Sequence, residues 1–352
     1  MAGFRAVIIE HGYKTSRYET EIITAAGGEL IDMSGSPLED ALRLAENCEA
    51  IMLRRLVVDA GLIRRFKRCR ILARYGVGTD NVDVDAATTA NIIVGHSPLY
   101  ATDEVSVHAA ALLLACVRDV VPTHKRLEEG AWNVDRPFRI RRVAGRTLGI
   151  VGFGNIGRAV ARKFSPWDLR IVASDPYVEP ERAARMSVEL VRLETLLGMS
   201  DLISLHCPLL PETRHLIDSR ALDRVKPGAI LVNTARGAVL DTSALLSALD
   251  SGRLAAAGLD VFAEEPLPPD SPLRLHPRVV LTDHTAWYSE ESQVELQTSI
   301  AREVVRVCTG GLPVSLMNPE VLRRLGRFEE WTPPDNILWQ LKRNRVERSR
   351  GV

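Results

Sequence analysis

The chain has 352 residues, 45 lysines and arginines against 45 aspartates and glutamates, and five cysteines. That length exceeds one ordinary domain and favours two lobes, each burying its own core. The balanced charge offers no overall field to nucleic acid or anionic lipid, so neither is an expected partner and a small-molecule ligand is the default.

Cys48, Cys69, Cys116, Cys207 and Cys308 are scattered with no CxxC pair, which reads as reduced thiols, no metal site and a cytoplasmic protein. The N-terminal "MAGFRAVIIEHGY" breaks too early for a signal peptide, and no run of about 18 apolar residues occurs, so the protein reads as soluble. From the N-terminus, "RAVIIE", "YETEIITAAGGEL", "AIMLRR", "LIRRFKRC", "RILARYG" and "NIIVGH" alternate short β-branched runs with helical periodicity. This rhythm predicts parallel strands joined by helical crossovers, an α/β lobe over residues 1–99. "DEVSVHAAALLLACVRDVV" (103–121) predicts one helix bridging the lobes. After a loop, alternation restarts at "TLGIVGF" and runs through "LRIVASD", "DLISLHCPL", "AILVNTA", "AAAGLDVF" and "RVVLTDH", a second lobe over 100–286. "SQVELQTSIAREVVRVCTGG" (292–311) is helical, ends in a Gly-Gly stop and is expected to return to the first lobe, which thereby gains residues 287–320. Residues 321–352 read as a basic tail, with Lys342, Arg343, Arg345, Arg348 and Arg350 against Glu347. The expected fold is thus two Rossmann or flavodoxin-like lobes, parallel sheets flanked by helices, with the active site in a cleft.

In "GIVGFGNIGRAV", Gly152, Gly154 and Gly157 follow an apolar strand and open an amphipathic helix. Gly152 permits a tight turn, Gly154 lets backbone approach a pyrophosphate, and Gly157 lets helix pack on strand. Asn155 and Ile156 then offer backbone N–H groups at the helix N-terminus. Asp175 ends the next strand 23 residues after Gly152 (175 − 152), close to the roughly 20 expected of the acid that holds a ribose 2′-hydroxyl. An acid there repels a 2′-phosphate, and no arginine directly follows it, so NAD is the expected cofactor. In "RYGVGTDNVD", Gly76, Val77 and Gly78 predict a turn with exposed N–H groups, a small anion nest beside Arg74.

"RYGVGTDNVD", "GFGNIG", "HCPLLPETRHLI", "LVNTARG", "GLDVFAEEP" and "DHTAWYSEES", in this order and spacing, resemble the D-isomer-specific 2-hydroxyacid dehydrogenases over residues 1 to about 315. "AWYSE" is similar to the C-terminal binding protein branch of that family, which includes dehydrogenase-like corepressors. The resemblance implies an NAD-dependent oxidoreductase acting on a small 2-keto or 2-hydroxy acid, and a homodimer through the NAD-binding domain. It implies that Arg236 grips the substrate's carboxylate and carbonyl, that His284 is the general acid and base, and that Glu265 pairs with it. The chemistry is consistent: a guanidinium fork suits a planar anion, and a carboxylate beside an imidazole keeps a proton available. Taken alone, a histidine ending a buried strand is more often a hydrogen-bonded core residue.

The resemblance further implies that Asp260 holds the nicotinamide carboxamide and that Cys207, Pro208 and Thr234 line the cofactor. Trp287 would border the substrate pocket or anchor a lobe interface, and Arg54 and Arg55 keep a phosphorylated or sulfonated substrate in view. Asp283 stands where the family usually has proline, either loosening the approach to His284 or adding a second acid. The rival reading is an NAD(H)-sensing corepressor or binding protein in which the same residues persist.

Overall fold

The computed structural model describes residues 3–132 and 140–332, and the cations from Lys342 onward lie outside the described residues. The chain divides into two compact units, one running to Tyr100 and resuming at Ser289, the other Ala101–Tyr288. Both are the expected parallel α/β lobes.

The first unit holds β1 (Arg5–Ile8), β2 (Glu29–Asp32), β3 (Ala50–Leu53), β4 (Ile71–Arg74) and β5 (Ile93–Gly95). They form a five-stranded sheet in the order β2-β1-β3-β4-β5, every pair parallel. The four residues of β3, Ala50 to Leu53, are fully buried, as a central strand covered on both faces requires. Val7, Ile51, Leu72 and Val94 pack with Leu42 and Ile63 from the flanking helices. Each such side chain contributes roughly 1.5–3 kcal/mol of burial.

The order reverses between β1 and β3, the switch point where crevices open beyond the strand ends of α/β sheets. There one Glu10 carboxylate oxygen accepts from the backbone N–H groups of Arg54 (2.7 Å) and Leu56 (3.0 Å) and from that of Arg55 between them. An internal acid therefore fills this N–H nest.

The helix Glu290–Cys308 begins with a reciprocal cap: Ser289 Oγ accepts from Ser292 N–H and Ser292 Oγ from Ser289 N–H. Gln297 on this helix donates to Glu19, which also accepts from the Tyr75 hydroxyl at 2.8 Å, all three buried. The stretch that opens the region read as a basic tail is folded. Glu320–Arg324 is helical with Val321 and Leu322 fully buried, and Trp331 is buried with its indole N–H donating to Pro313 O.

The second unit holds β6 (Thr147–Val151), β7 (Arg170–Ser174), β8 (Glu189–Leu190), β9 (Leu202–Leu205), β10 (Ala229–Asn233), β11 (Leu254–Leu259) and β12 (Val279–Leu281). The seven-stranded sheet runs β12-β11-β10-β9-β6-β7-β8, all pairs parallel, and reverses direction between β6 and β9. Leu196, Leu231, Leu245 and Leu249 cover one face, and Leu112, Leu113, Ile150 and Phe164 the other.

The helix expected over 103–121 is two: Thr102–Arg118 and Val120–Glu128, bent by 60°. Asp119 stands between them with φ +54°, and its carboxylate accepts from Arg126 (2.9 Å) and Thr123 (3.3 Å), contacts that stabilise the turn. Among the described residues, no single helix is long and apolar enough to cross a membrane.

Asn318 supplies a test of the first unit. Its side chain accepts from Val94 N–H (2.8 Å) and donates to Ile92 O (2.8 Å) and Thr88 Oγ (3.0 Å) from a buried position. Asn318→Ala strands those backbone groups, at about 1–3 kcal/mol for each one left unsatisfied. The expected result is a clear drop in Tm by calorimetry; a drop under about 1 °C would contradict it.

Candidate active site

In a parallel sheet every strand ends at the same edge, and each predicted residue of the second unit lies just past such an end. Gly152 follows β6 with φ +89°, and a Cβ there would come within 2.6 Å of Cys207 N, past β9. A Cβ on Gly157 would lie 2.2 Å from Gly152 O, so only glycine lets the helix Asn155–Phe164 sit this close to β6. Among the described residues nothing lies within 4 Å of a Cβ on Gly154, the N-terminal boundary of that helix, and no side chain caps it. Asn155 and Ile156 follow, half-buried. The free N–H groups of the first turn and the open space above Gly154 form a ready anion site.

Asp175, after β7, accepts from Phe153 N–H (2.8 Å) and Tyr177 N–H (2.9 Å), which fixes its carboxylate beside the glycine turn. Cys207 is buried, and burial, assisted by Asp175, pushes its thiol up to about 12, so it lines the edge as a neutral group. Pro208 is exposed, its carbonyl taken by Thr213 Oγ. Thr234 Oγ past β10 and His206 Nδ1 past β9 are buried with no hydrogen-bond partner among the described residues. Open space over Gly154 and orphaned polar atoms at neighbouring strand ends fit a dinucleotide laid across the β6/β9 switch point.

Arg236, Glu265 and His284, the three residues to which the family resemblance gives the chemistry, follow β10, β11 and β12. Arg236 follows β10, its Nη1 donating to Ala235 O at 2.8 Å. Gly237 packs on the next loop so tightly that a Cβ would lie 1.8 Å from Phe262 C. His284 follows β12, and its Nδ1 is 2.6 Å from Glu265 Oε2. A carboxylate only accepts, so Nδ1 carries the proton, and Nε2 is the ring nitrogen outside this pair.

The other Glu265 oxygen accepts from Phe262 N–H at 3.0 Å. Burial raises the Glu265 pKa, but the bonds from His284 and Phe262 and the charges of His284 and Arg236 outweigh it, holding the carboxyl below its ordinary range. The sequence-predicted trio is thereby brought together.

Asp260 is 1% exposed, and its carboxylate binds the His284 loop: Oδ1 accepts from Thr282 Oγ (2.7 Å) and Thr285 N–H (3.0 Å), Oδ2 from Ala286 N–H (3.1 Å). Sequence reasoning missed these partners, and no local pattern marks them. Asp283 is exposed, and its carboxylate accepts from Thr285 Oγ at 3.1 Å. Trp287 donates its indole N–H to His284 O at 3.0 Å and stacks edge-on against Tyr288, fastening the same loop.

In the first unit, Gly76 has φ +131° with the Arg74 guanidinium against it, a Cβ there falling 1.8 Å from Nη1. Val77 O accepts from His96 Nδ1 at 2.8 Å, a ring kept neutral mainly by burial, with its pKa lowered to about 4. Gly78 follows, half-buried. Arg54 donates to His11 O (3.2 Å) and lies over the Tyr13 ring, while Arg55 is exposed.

Residues 110–286 match the family model described as D-isomer specific 2-hydroxyacid dehydrogenase, NAD binding domain. The chain is 42% identical over 282 residues to glyoxylate reductase of Korarchaeum cryptofilum, covering 79% of this chain and 85% of that one. It is 40% identical over 291 residues to D-3-phosphoglycerate dehydrogenase of Mycobacterium tuberculosis, covering 82% of this chain but 54%, about half, of that relative's length. A solved glyoxylate reductase from Paecilomyes thermophila superposes with TM-score 0.82 at 28% identity, covering 90% of this chain and 98% of that one.

The Glu265 pair can be tested through pH. Its folded pKa is depressed, so the stabilisation is present above the unfolded value, about 4.3, and is lost as pH falls through the folded one. Glu265→Gln is expected to melt below wild type at neutral pH, with the gap closing as pH drops below about 4. A gap unchanged from pH 7 to 3 would count against the pairing.

Proposed function

As a member of the D-isomer specific 2-hydroxyacid dehydrogenases, the chain is, we propose, an NAD-dependent oxidoreductase that interconverts a 2-keto acid and its 2-hydroxy acid. The His284–Glu265 pair carries this reading. In the reducing direction, Nε2–H of the charged ring gives its proton to the substrate's carbonyl oxygen, and Glu265 stabilises that charged ring beforehand. In the oxidising direction neutral Nε2 takes the hydroxyl proton. Arg236 binds the flat carboxylate through parallel N–H donors.

Gly152, Gly154, Asn155, Ile156 and Gly157 would hold the pyrophosphate of NAD and Asp175 its ribose, with Cys207, Pro208 and Thr234 lining the remainder. When bound, NAD supplies or takes up the hydride. We assign the substrate anion's remaining contacts to Arg74 and the Gly76-Val77-Gly78 turn in the first unit, and a place at the pocket's border to Trp287. The free thiols of all five cysteines favour a reducing, cytoplasmic setting.

The test is NADH oxidation with glyoxylate, hydroxypyruvate, phosphohydroxypyruvate, sulfopyruvate and the keto acid of methionine. One of them is expected to turn over, with His284→Ala lowering kcat by about 10² to 10⁴ and leaving NADH affinity in place. Tight NADH binding with no turnover on any would favour the sensor reading instead.

We further propose a homodimer through the NAD-binding unit. The helix Val120–Glu128 buries none of its residues, and Val120, Leu127 and nearby Trp132 (89% exposed) present apolar surface. Light scattering is expected to give a dimer that Trp132→Glu weakens; a wild-type monomer at micromolar concentration would refute it.

A further inference from the structure

We infer that His108, Thr282 and Asp260 form a clamp that holds His284 in the backbone conformation its proton transfer requires, making all three positioning residues of the reaction. The inference rests on the reading of His284 as acid and base.

His284 has φ +59°, in the left-handed region that a residue with a Cβ enters only when its surroundings hold it there. Those surroundings are Asp260. Its backbone carbonyl accepts from His284 N–H at 2.8 Å, and its carboxylate takes Thr282 on one side and the amides of Thr285 and Ala286 on the other. The loop is thus pinned on both sides of the histidine by one buried anion, where charge-assisted hydrogen bonds are strongest.

Proton counting extends the clamp to His108. The Thr282 hydroxyl has a single proton and gives it to Asp260, because a carboxylate can only accept. Its oxygen is then an acceptor, and His108 Nε2, 2.9 Å away, must be the donor. The same nitrogen lies 3.6 Å from Asp260 Oδ1. His108 sits on the helix Thr102–Arg118, so that helix sets the direction of the hydroxyl and, through it, the carboxylate. The family resemblance gives Asp260 a carboxamide of the cofactor to hold; the geometry gives it the loop.

Thr282→Val removes the hydroxyl while keeping the shape, and Thr282→Ser keeps the hydroxyl. The valine variant is expected to lose about tenfold in kcat, with the KM for the keto acid and the Kd for NADH within about twofold of wild type. The serine variant is expected to recover kcat to within about twofold. His108→Leu should behave as the valine variant does.

A second readout needs no turnover. Amide hydrogen exchange at His284, Thr285 and Ala286 is expected to quicken about tenfold in the valine variant and to stay near wild type in the serine variant. Unchanged exchange in the valine variant, or equal impairment of valine and serine, would overturn the clamp. A valine variant that loses NADH affinity with kcat intact would do the same, by assigning Thr282 to cofactor binding. Wild-type protein with no turnover would instead sink the proposed activity and leave exchange to decide the clamp.

Discussion

Every pair of named strands among the described residues is parallel, and the disposition of the groups at the candidate site follows from that constraint. A parallel sheet sends all its carboxyl ends to one edge, with neighbouring strands about 4.8 Å apart. Along that edge of the second unit, the loops after β12, β11, β10, β9, β6 and β7 follow one another in space. They carry His284, Asp260, Arg236, Cys207, Gly152 and Asp175 in that order. Residues separated by up to 132 positions (284 − 152) become consecutive groups on one ledge. His284, Asp260 and Arg236, the residues of the proposed proton transfer, lie on one side of the β6/β9 reversal, and Asp175, the acid proposed to hold a ribose, lies on the other. This order suits an elongated ligand with a reactive end and an anchoring end.

The ledge solves a conflict between access and precision. In the proposed reaction His284 has to reach a substrate, and its side chain is 37% exposed, as is 34% of Glu265. Exposed groups hold their geometry poorly, because water competes for every hydrogen bond. The groups that fix this pair lie deeper: Asp260 is buried, the Phe262 amide orients Glu265, and the Trp287 indole holds the carbonyl of His284. Gly237, with no room for a Cβ against Phe262, locks the Arg236 loop onto the loop that leads to Glu265. Wet chemistry therefore rests on dry fastening.

How much of this could be read from the chain depends on whether the signal is local. The GxGxxG turn is legible because each glycine answers a contact a few residues away or an open space above the helix, and Gly157 against Gly152 O is such a contact. The buried run "AIML" announces β3 in the same way. β2, "ELID", is an edge strand with both end residues exposed, and it has no apolar run to distinguish it from the helical stretch before it. The break at Asp119 is equally silent, since its partners Thr123 and Arg126 satisfy helical spacing as well as a bend. Burial of Val321, Leu322 and Trp331 depends on surfaces provided by the rest of the first unit, so their basic surroundings mislead. His108 occupies a position on an apolar helix that any core residue would fit. Only the proximity of Thr282, 174 positions on, reveals its use.

Energies show why the loop around His284 needs such fastening. Placing a residue with a Cβ in the left-handed region costs about 1–2 kcal/mol. A hydrogen bond to a charged group returns about 1.5–3 kcal/mol. The Asp260 carboxylate receives three such bonds from Thr282, Thr285 and Ala286, so the strained state is held by a comfortable excess. Remove one bond and the conformation should persist on average while its excursions grow. Proton transfer requires hydrogen-bond reach of the carbonyl oxygen at the moment hydride arrives, so it is more sensitive to those excursions than overall stability is. A group can therefore matter to the rate while contributing little to the melting point. In this chain, a histidine on a helix and a threonine hydroxyl meet that description.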